Sequence, residues 1–232
     1  RGRTPSDRPI RVAIIDDGFE FDHPDLIGSF ALAGGDVPLG LDVADWPDSD
    51  SDAAASDYDE HGTCLAGVVA ARADNDEGIA GICPECEILP IRLFGYQGSG
   101  GEDLFVSGSA AAFAITWAVD QGADVIINSW GPPDGSPDNA QYWALPQVVD
   151  EAIAYAMTQG RGGKGTPIIW AAGNGGELVA YDGWAADPRV LTVGSVTDGA
   201  VKADYSDWGV GLDVVAPSSG GLRGVLTTDR SG

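Results

Sequence analysis

The feature that most restricts this chain is an alternation of short β-branched apolar runs with longer alanine-rich stretches. The runs predict strands over 10–15, 88–93, 125–128, 168–170, 190–193 and 212–215. The alanine-rich stretches predict helices over 61–73, 103–121 and 145–159. Strand–helix alternation of this kind builds an α/β fold, a three-layer parallel sheet flanked by helices on both faces, with right-handed crossovers. Sites in such sheets gather at the carboxyl ends of the strands. That rule selects Asp16, Ser129 with Trp130, Asn174 and the segment after Leu93. No repeat or domain boundary interrupts the pattern, and 232 residues suit one α/β domain.

Charge narrows the partners. The chain carries 36 Asp and Glu against 12 Lys and Arg, a formal net charge of −24. Nucleic acid and anionic membrane surfaces need a basic face, so neither is an expected partner. Cationic substrates or metal cations suit this field, and so does a plain self-repelling surface. Eight of the acids crowd into residues 42–60. No run of about 18 apolar residues exists to span a membrane. Residues 1–8 lack the apolar core of a signal peptide, so the chain reads as starting at a processed end. Of three cysteines, Cys83 and Cys86 form a C-x-x-C that can close a small disulfide or stay as two thiols, and no further ligand completes a zinc set.

Taken singly, the chemical candidates are ordinary. Asp16 ends an apolar strand, where a turn-forming carboxylate is common. His61 opens a helix, and Asn174 follows a buried strand as a turn residue would. Together they mean more. A carboxylate and an imidazole at neighbouring strand and helix ends make a general base for a hydroxyl nucleophile, the carboxylate fixing the tautomer and stabilising the imidazolium. A side-chain amide at a nearby strand end can donate to the developing oxyanion.

Seven segments carry a resemblance: VAIIDDG (12–18), HPDL (23–26), HGT (61–63), INSWGPPDG (127–135), WAAGNGG (170–176), YSDWG (205–209) and DVVAP (213–217). In this order they resemble the subtilisin-like serine proteases, from about residue 9 onwards. The pairs Asp16-Asp17 and SWGPPDG, with QGRGGKG (159–165), GNGG and GVLTTDR (224–230), are similar to the kexin/furin-like branch. Gly98-Ser99-Gly100 departs from it towards an ordinary subtilisin edge, and the stretch after Asn174 is shorter than that branch shows.

The resemblance implies Asp16 as triad aspartate, His61 as general base and Asn174 as oxyanion donor. It implies Gly98-Ser99-Gly100 and Ser129-Trp130-Gly131 as the two backbone segments that sandwich an extended peptide or protein substrate by strand addition. The family's serine sits in a Gly-Thr-Ser opening a later central helix, and no such motif occurs here. Residues 1–232 are therefore expected to be the amino-terminal major part of one catalytic domain. Their partner would be the remaining carboxyl-terminal segment, with a pro-segment as a further possible partner, and they would be poorly stable and inactive alone.

Calcium is the implied cofactor, a hard ion that takes six to eight oxygens. One site would use Asp25, nine residues after Asp16, with the Asn75 side chain and the backbone carbonyls of Arg72, Glu77 and Ile79 of the 72–79 loop. A branch-specific second site would use Asp134 and Asp207; its third acid has no clean match, with Glu177 as stand-in. A third would join Asp42, Asp48 and Asp50. Asp134 and Asp182 match the acids of the branch's primary pocket, and Asp17, near Asp59 or Glu60, would meet a second basic residue. Carboxylates in a partly dry pocket prefer the rigid fork of Arg, so cleavage after Arg or Lys is expected. The reading is a secreted or extracytoplasmic, calcium-dependent serine endopeptidase. Its alternatives are a broad, apolar-specific protease of the same fold and a non-catalytic peptide-binding pseudoprotease. A dinucleotide site is disfavoured, because GNGGE lacks the spaced G-x-G-x-x-G.

Overall fold

Strand β1 (Arg11–Asp16) is buried along nearly its whole length, and both of its faces are used. Val12 and Ile14 pack in one apolar cluster with Ala66 and Ala70 of helix α1 (His61–Ala70). Ala13 and Ile15 pack in another with α2 (Gly108–Asp120) and α3 (Gln147–Gly163), through Ala114, Ile115, Ala118, Ala152, Ile153 and Ala156. Small alanine faces let these helices lie close on the sheet, and Ile and Val fill the pleat. The structure, a computed structural model, describes residues 2–95 and 106–230.

The other elements are β2 (Leu32–Gly34), β3 (Val37–Pro38), β4 (Leu41–Asp42), β5 (Glu87–Arg92), β6 (Val125–Asn128), β7 (Ile168–Ala171), β8 (Leu191–Val196) and β9 (Val214–Pro217). Seven strands run parallel in the order β4-β5-β1-β6-β7-β8-β9, and β2 pairs antiparallel with β3 as a separate hairpin. The chain steps one way from β1 to β5 and the other way to β6, so the winding reverses at β1. That reversal opens a crevice at its carboxyl end.

All six expected strands and three expected helices form, with shifted ends. α1 stops at Ala70, because Ala71 turns extended and the Arg72 N–H bonds the Asp25 carbonyl. α2 begins at Gly108, since Ser107 is extended; residues 103–105 lie outside the described residues. The regular course of α3 ends where Gly160 turns extended. The last strand starts at Val214 rather than 212, because left-handed turns at Gly209 and Gly211 fold Leu212 onto the α2–α3 cluster.

The two faces are covered unequally. On the α1 side, Ile127, Ile169, Ala171, Leu191, Val193 and Val214 form a stripe that runs across β6 to β9 in register. Leu191 and Val214 in this stripe are 41% and 45% exposed. No helix of the described residues lies over it. Cys83 and Cys86 are joined as a disulfide, and Cys64 on α1 is a free, half-buried thiol. Among the described residues no helix is long and apolar enough to cross a membrane.

Candidate active site

Asp16, the last residue of β1, is wholly buried. Its Oδ1 lies 2.8 Å from Nδ1 of His61, the first residue of α1, and accepts the Asp17 N–H at 2.9 Å. The bond to Asp16 raises the His61 pKa above the usual histidine value, against the opposing effect of burial. The imidazole is 53% exposed, so with Nδ1 taken by Asp16, Nε2 is free to face a reacting group. A buried carboxylate holding Nδ1 of a half-open imidazole is a general-base arrangement.

Asn174 follows β7 and is exposed, two strands along from β1. Its N–H donates to Asp134 Oδ1 at 3.0 Å. Ser129, Trp130 and Gly131 leave β6 at the same edge. Trp130 stands edge-on to Trp170 and Trp184, with ring centroids 4.9 and 5.5 Å away, and Trp170 Nε1 donates to the Trp130 carbonyl at 2.7 Å. This aromatic wall was not anticipated; three tryptophans near strand ends were its only sequence signal. A Cβ added at Gly131 would come within 3.1 Å of Asp182 Oδ2, which places that acid against the segment. Burial pushes the Asp182 carboxyl up to about 6, with Asp134 and Asp207 adding to the rise. The expected Gly98-Ser99-Gly100 edge lies outside the described residues.

Asp134, Glu177 and Asp207 bring carboxylate oxygens to within 4.8 Å of one another. Glu177 Oε1 accepts the Gly135 N–H at 2.7 Å, while its Oε2 is buried with no partner. The Glu177 N–H donates to Asp207 Oδ1 at 3.0 Å. A Cβ at Gly173, where φ is +108°, would sit 2.4 Å from Asp207 and 2.8 Å from Asp134, so only glycine admits this convergence. Burial and the neighbouring acids raise the Asp207 pKa. Hard oxygen donors, two of the three residues buried, with one oxygen unsatisfied, fit calcium.

Asp25 lies against the 72–79 loop. Its oxygens accept Asn75 Nδ2 at 3.0 Å and the Ile79 N–H at 2.8 Å, and the Glu77 N–H reaches Asn75 Oδ1 at 3.3 Å. The Arg72 side chain turns away to the Pro84 carbonyl.

Two expectations fail on geometry. Asp42, Asp48 and Asp50 do not assemble an acid cluster. Asp42 and Asp50 pair through their backbones, and the Asp42 carboxylate is held by Arg92 Nη1 at 2.9 Å and the Ala44 N–H at 2.8 Å. Asp17 does not face a substrate either. It is fully buried, and its carboxylate accepts the N–H groups of Glu60, His61 and Gly62 at 3.1, 3.0 and 2.7 Å. Arg92, which sequence reading passed over, braces this region: it donates to the Asp17 carbonyl and pairs with Asp42 and Asp59. A charged residue closing an apolar strand next to β1 was its available signal.

A wound parallel sheet with an Asp–His pair at its crevice defines an α/β protein with a general-base arrangement at the topological switch point. Comparison with known proteins gives the family: the chain belongs to the subtilase family, whose family model matches residues 7–231. It is 36% identical over 234 residues to a calcium-dependent protease of Trichormus variabilis, covering 95% of this chain and 32% of that protein. It is 32% identical over 210 residues to thermitase of Thermoactinomyces vulgaris, covering 90% of this chain and 63% of that protein. Among solved structures, fervidolysin of Fervidobacterium pennivorans superposes with a TM-score of 0.69 at 29% identity, over 90% of this chain and 28% of that one. The chain thus spans from about a third to somewhat under two thirds of these curated relatives' lengths.

Proposed function

We propose that residues 1–232 form the amino-terminal major part of a calcium-binding serine endopeptidase domain of the kexin-like kind, cleaving after Arg or Lys. The observation that carries this is the 2.8 Å bond between Asp16 Oδ1 and His61 Nδ1. In this reading His61 Nε2 takes the proton of a serine hydroxyl as it attacks the scissile carbonyl, and Asp16 stabilises the resulting imidazolium. The Asn174 amide donates to the oxyanion. His61 then returns the proton to the leaving amine, and water hydrolyses the acyl-enzyme by the same route.

The serine is assigned to a helix downstream of residue 232. The bare stripe of Ile127, Ile169, Ala171, Leu191 and Val193 supports this, since such a helix would cover it. Specificity for a cationic side chain is supported by Asp182 and Asp134 beside Ser129–Gly131. Calcium would be held by Asp134, Glu177 and Asp207, and by Asp25 with Asn75, whose amide would turn over to present Oδ1 and give up its long contact with the Glu77 N–H. The ion would neutralise converging acids and so keep the pocket wall in place. The Cys83–Cys86 disulfide supports a secreted or extracytoplasmic setting.

A scan of the residue before the cleaved bond, using the full-length protein, tests the reading. Arg and Lys peptides are expected to give the highest kcat/KM. Equal or better turnover of Leu or Phe peptides would contradict the specificity, and no turnover of any peptide would contradict the activity.

A further inference from the structure

Helix α1 starts without a cap of its own. Glu60 occupies the N-cap position, yet its side chain bonds no first-turn N–H. The first N–H groups of a helix have no partner inside it and need an acceptor. Here the acceptor comes from another element, through the Asp17 bonds to Glu60, His61 and Gly62. One of these N–H groups belongs to the proposed general base. The approach is tight: a Cβ at Gly62 would lie 2.3 Å from the Gly18 carbonyl oxygen and 3.1 Å from Asp17 Oδ1. Asp17 is itself clamped, since Arg92 Nε donates to its carbonyl at 3.0 Å while pairing with Asp42 and Asp59.

We propose that Asp17 is a positioning residue for the general base: its buried carboxylate caps α1 from outside the helix and fixes the His61 ring against Asp16. The proposal rests on the reading of Asp16 and His61 as the catalytic pair. It replaces the substrate-contact role that the sequence suggested. A carboxylate with no exposure is closed to a substrate cation, and three of its acceptor positions are already filled by N–H groups. An anion at a helix amino terminus is also favoured by the helix dipole. The charge of Asp17 acts on the imidazole as well, adding to the rise in the His61 pKa. Asp59, Asp42 and Arg92 then serve the same assembly one step further out, which gives part of the 42–60 acid run a structural task.

The test uses the full-length protein and its Asp17→Asn variant, with a second readout that needs no catalysis. Asn keeps the shape but turns N–H donors towards N–H donors. For monobasic and dibasic peptides alike, kcat should fall on the order of 100-fold, as misplacing a reacting group does, with KM held within about threefold. The His61 imidazole, labelled with carbon-13, should titrate at lower pH in the variant than in the wild type. In the wild type, the amides of Glu60, His61 and Gly62 should exchange slowly, although uncapped first-turn amides exchange fast. That measurement tests the capping on its own, and the imidazole titration and kcat test its effect on His61. A KM increase confined to dibasic peptides, with kcat unchanged, would overturn the proposal, as would fast exchange of the three wild-type amides. Absence of all hydrolysis by the wild type would instead count against the catalytic reading, leaving the exchange and imidazole results to judge Asp17.

Discussion

Changing Glu177 to Gln gives the sharpest thermodynamic test of the acid trio. Its carboxylate oxygens lie within 4.8 Å of those of Asp134 and Asp207. At an effective dielectric of about 20, two unit charges at that distance repel by roughly 3.5 kcal/mol. Asp134 is exposed and screened, so the buried Glu177–Asp207 pair carries most of the cost. The Asp207 pKa is raised in the fold, so the folded state holds that proton more tightly than the unfolded chain does. Without calcium, this contribution to stability is present at pH below the unfolded carboxyl value and is lost as pH rises through the raised folded value. Calcium binds the ionised trio, so its stabilising effect should grow over the same window. At about 100 times its Kd, one ion adds about 2.7 kcal/mol. At roughly 2–4 °C per kcal/mol for a chain of this size, Tm should rise by about 5–11 °C. The assay is thermal unfolding at neutral pH in calcium and in chelator. Glu177→Gln should raise Tm in chelator, because repulsion is relieved, and should shrink the calcium increment by about half or more. An undiminished increment in Glu177→Gln would refute the trio as a calcium site.

Other outcomes follow from the same geometry. Asp25→Asn should lower the calcium increment independently of Glu177→Gln, and the two effects should add in thermal unfolding of the double variant, because the sites lie on different loops. Asp16→Asn should cut kcat by about 10⁴-fold with the fold intact by circular dichroism, because the imidazole loses its anionic partner. The Arg-over-Leu ratio of kcat/KM should rise as pH climbs through about 6, where Asp182 ionises, and Asp182→Asn should flatten it; taking the ratio cancels the titration of His61. A ratio that does not vary with pH in the wild type would count against Asp182 as the cation's partner.

Much of this site was legible because its parts are local. VAIID names a doubly buried strand and the acid at its end, so the strand-end rule already selected Asp16, and HGT names a helix start that could bring His61 beside it. What sequence could not supply was pairing at long range. Asp42, Asp48 and Asp50 read as a cation site because Arg92, which holds Asp42, comes from a later strand. Asp17 read as a second pocket acid because it adjoins Asp16, yet the chain bends there, just past the end of β1, and its carboxylate finds three helix N–H groups. A Glu rather than Ser, Thr, Asp or Asn just before His61 was the overlooked sign that the helix needed a cap from elsewhere. Glu177 had no motif to announce it, since the left-handed turns at Gly173 and Gly176 bring it under Asp134.

The central claim is a hydroxyl nucleophile activated by His61 but carried beyond residue 232. It is tested most directly by treating the full-length protein with a serine-phosphonylating fluorophosphonate and locating the adduct by mass spectrometry. One adduct is predicted, on a serine downstream of residue 232, and it should be lost in His61→Ala. An adduct on a serine within residues 1–232, or labelling undiminished in His61→Ala, would contradict it.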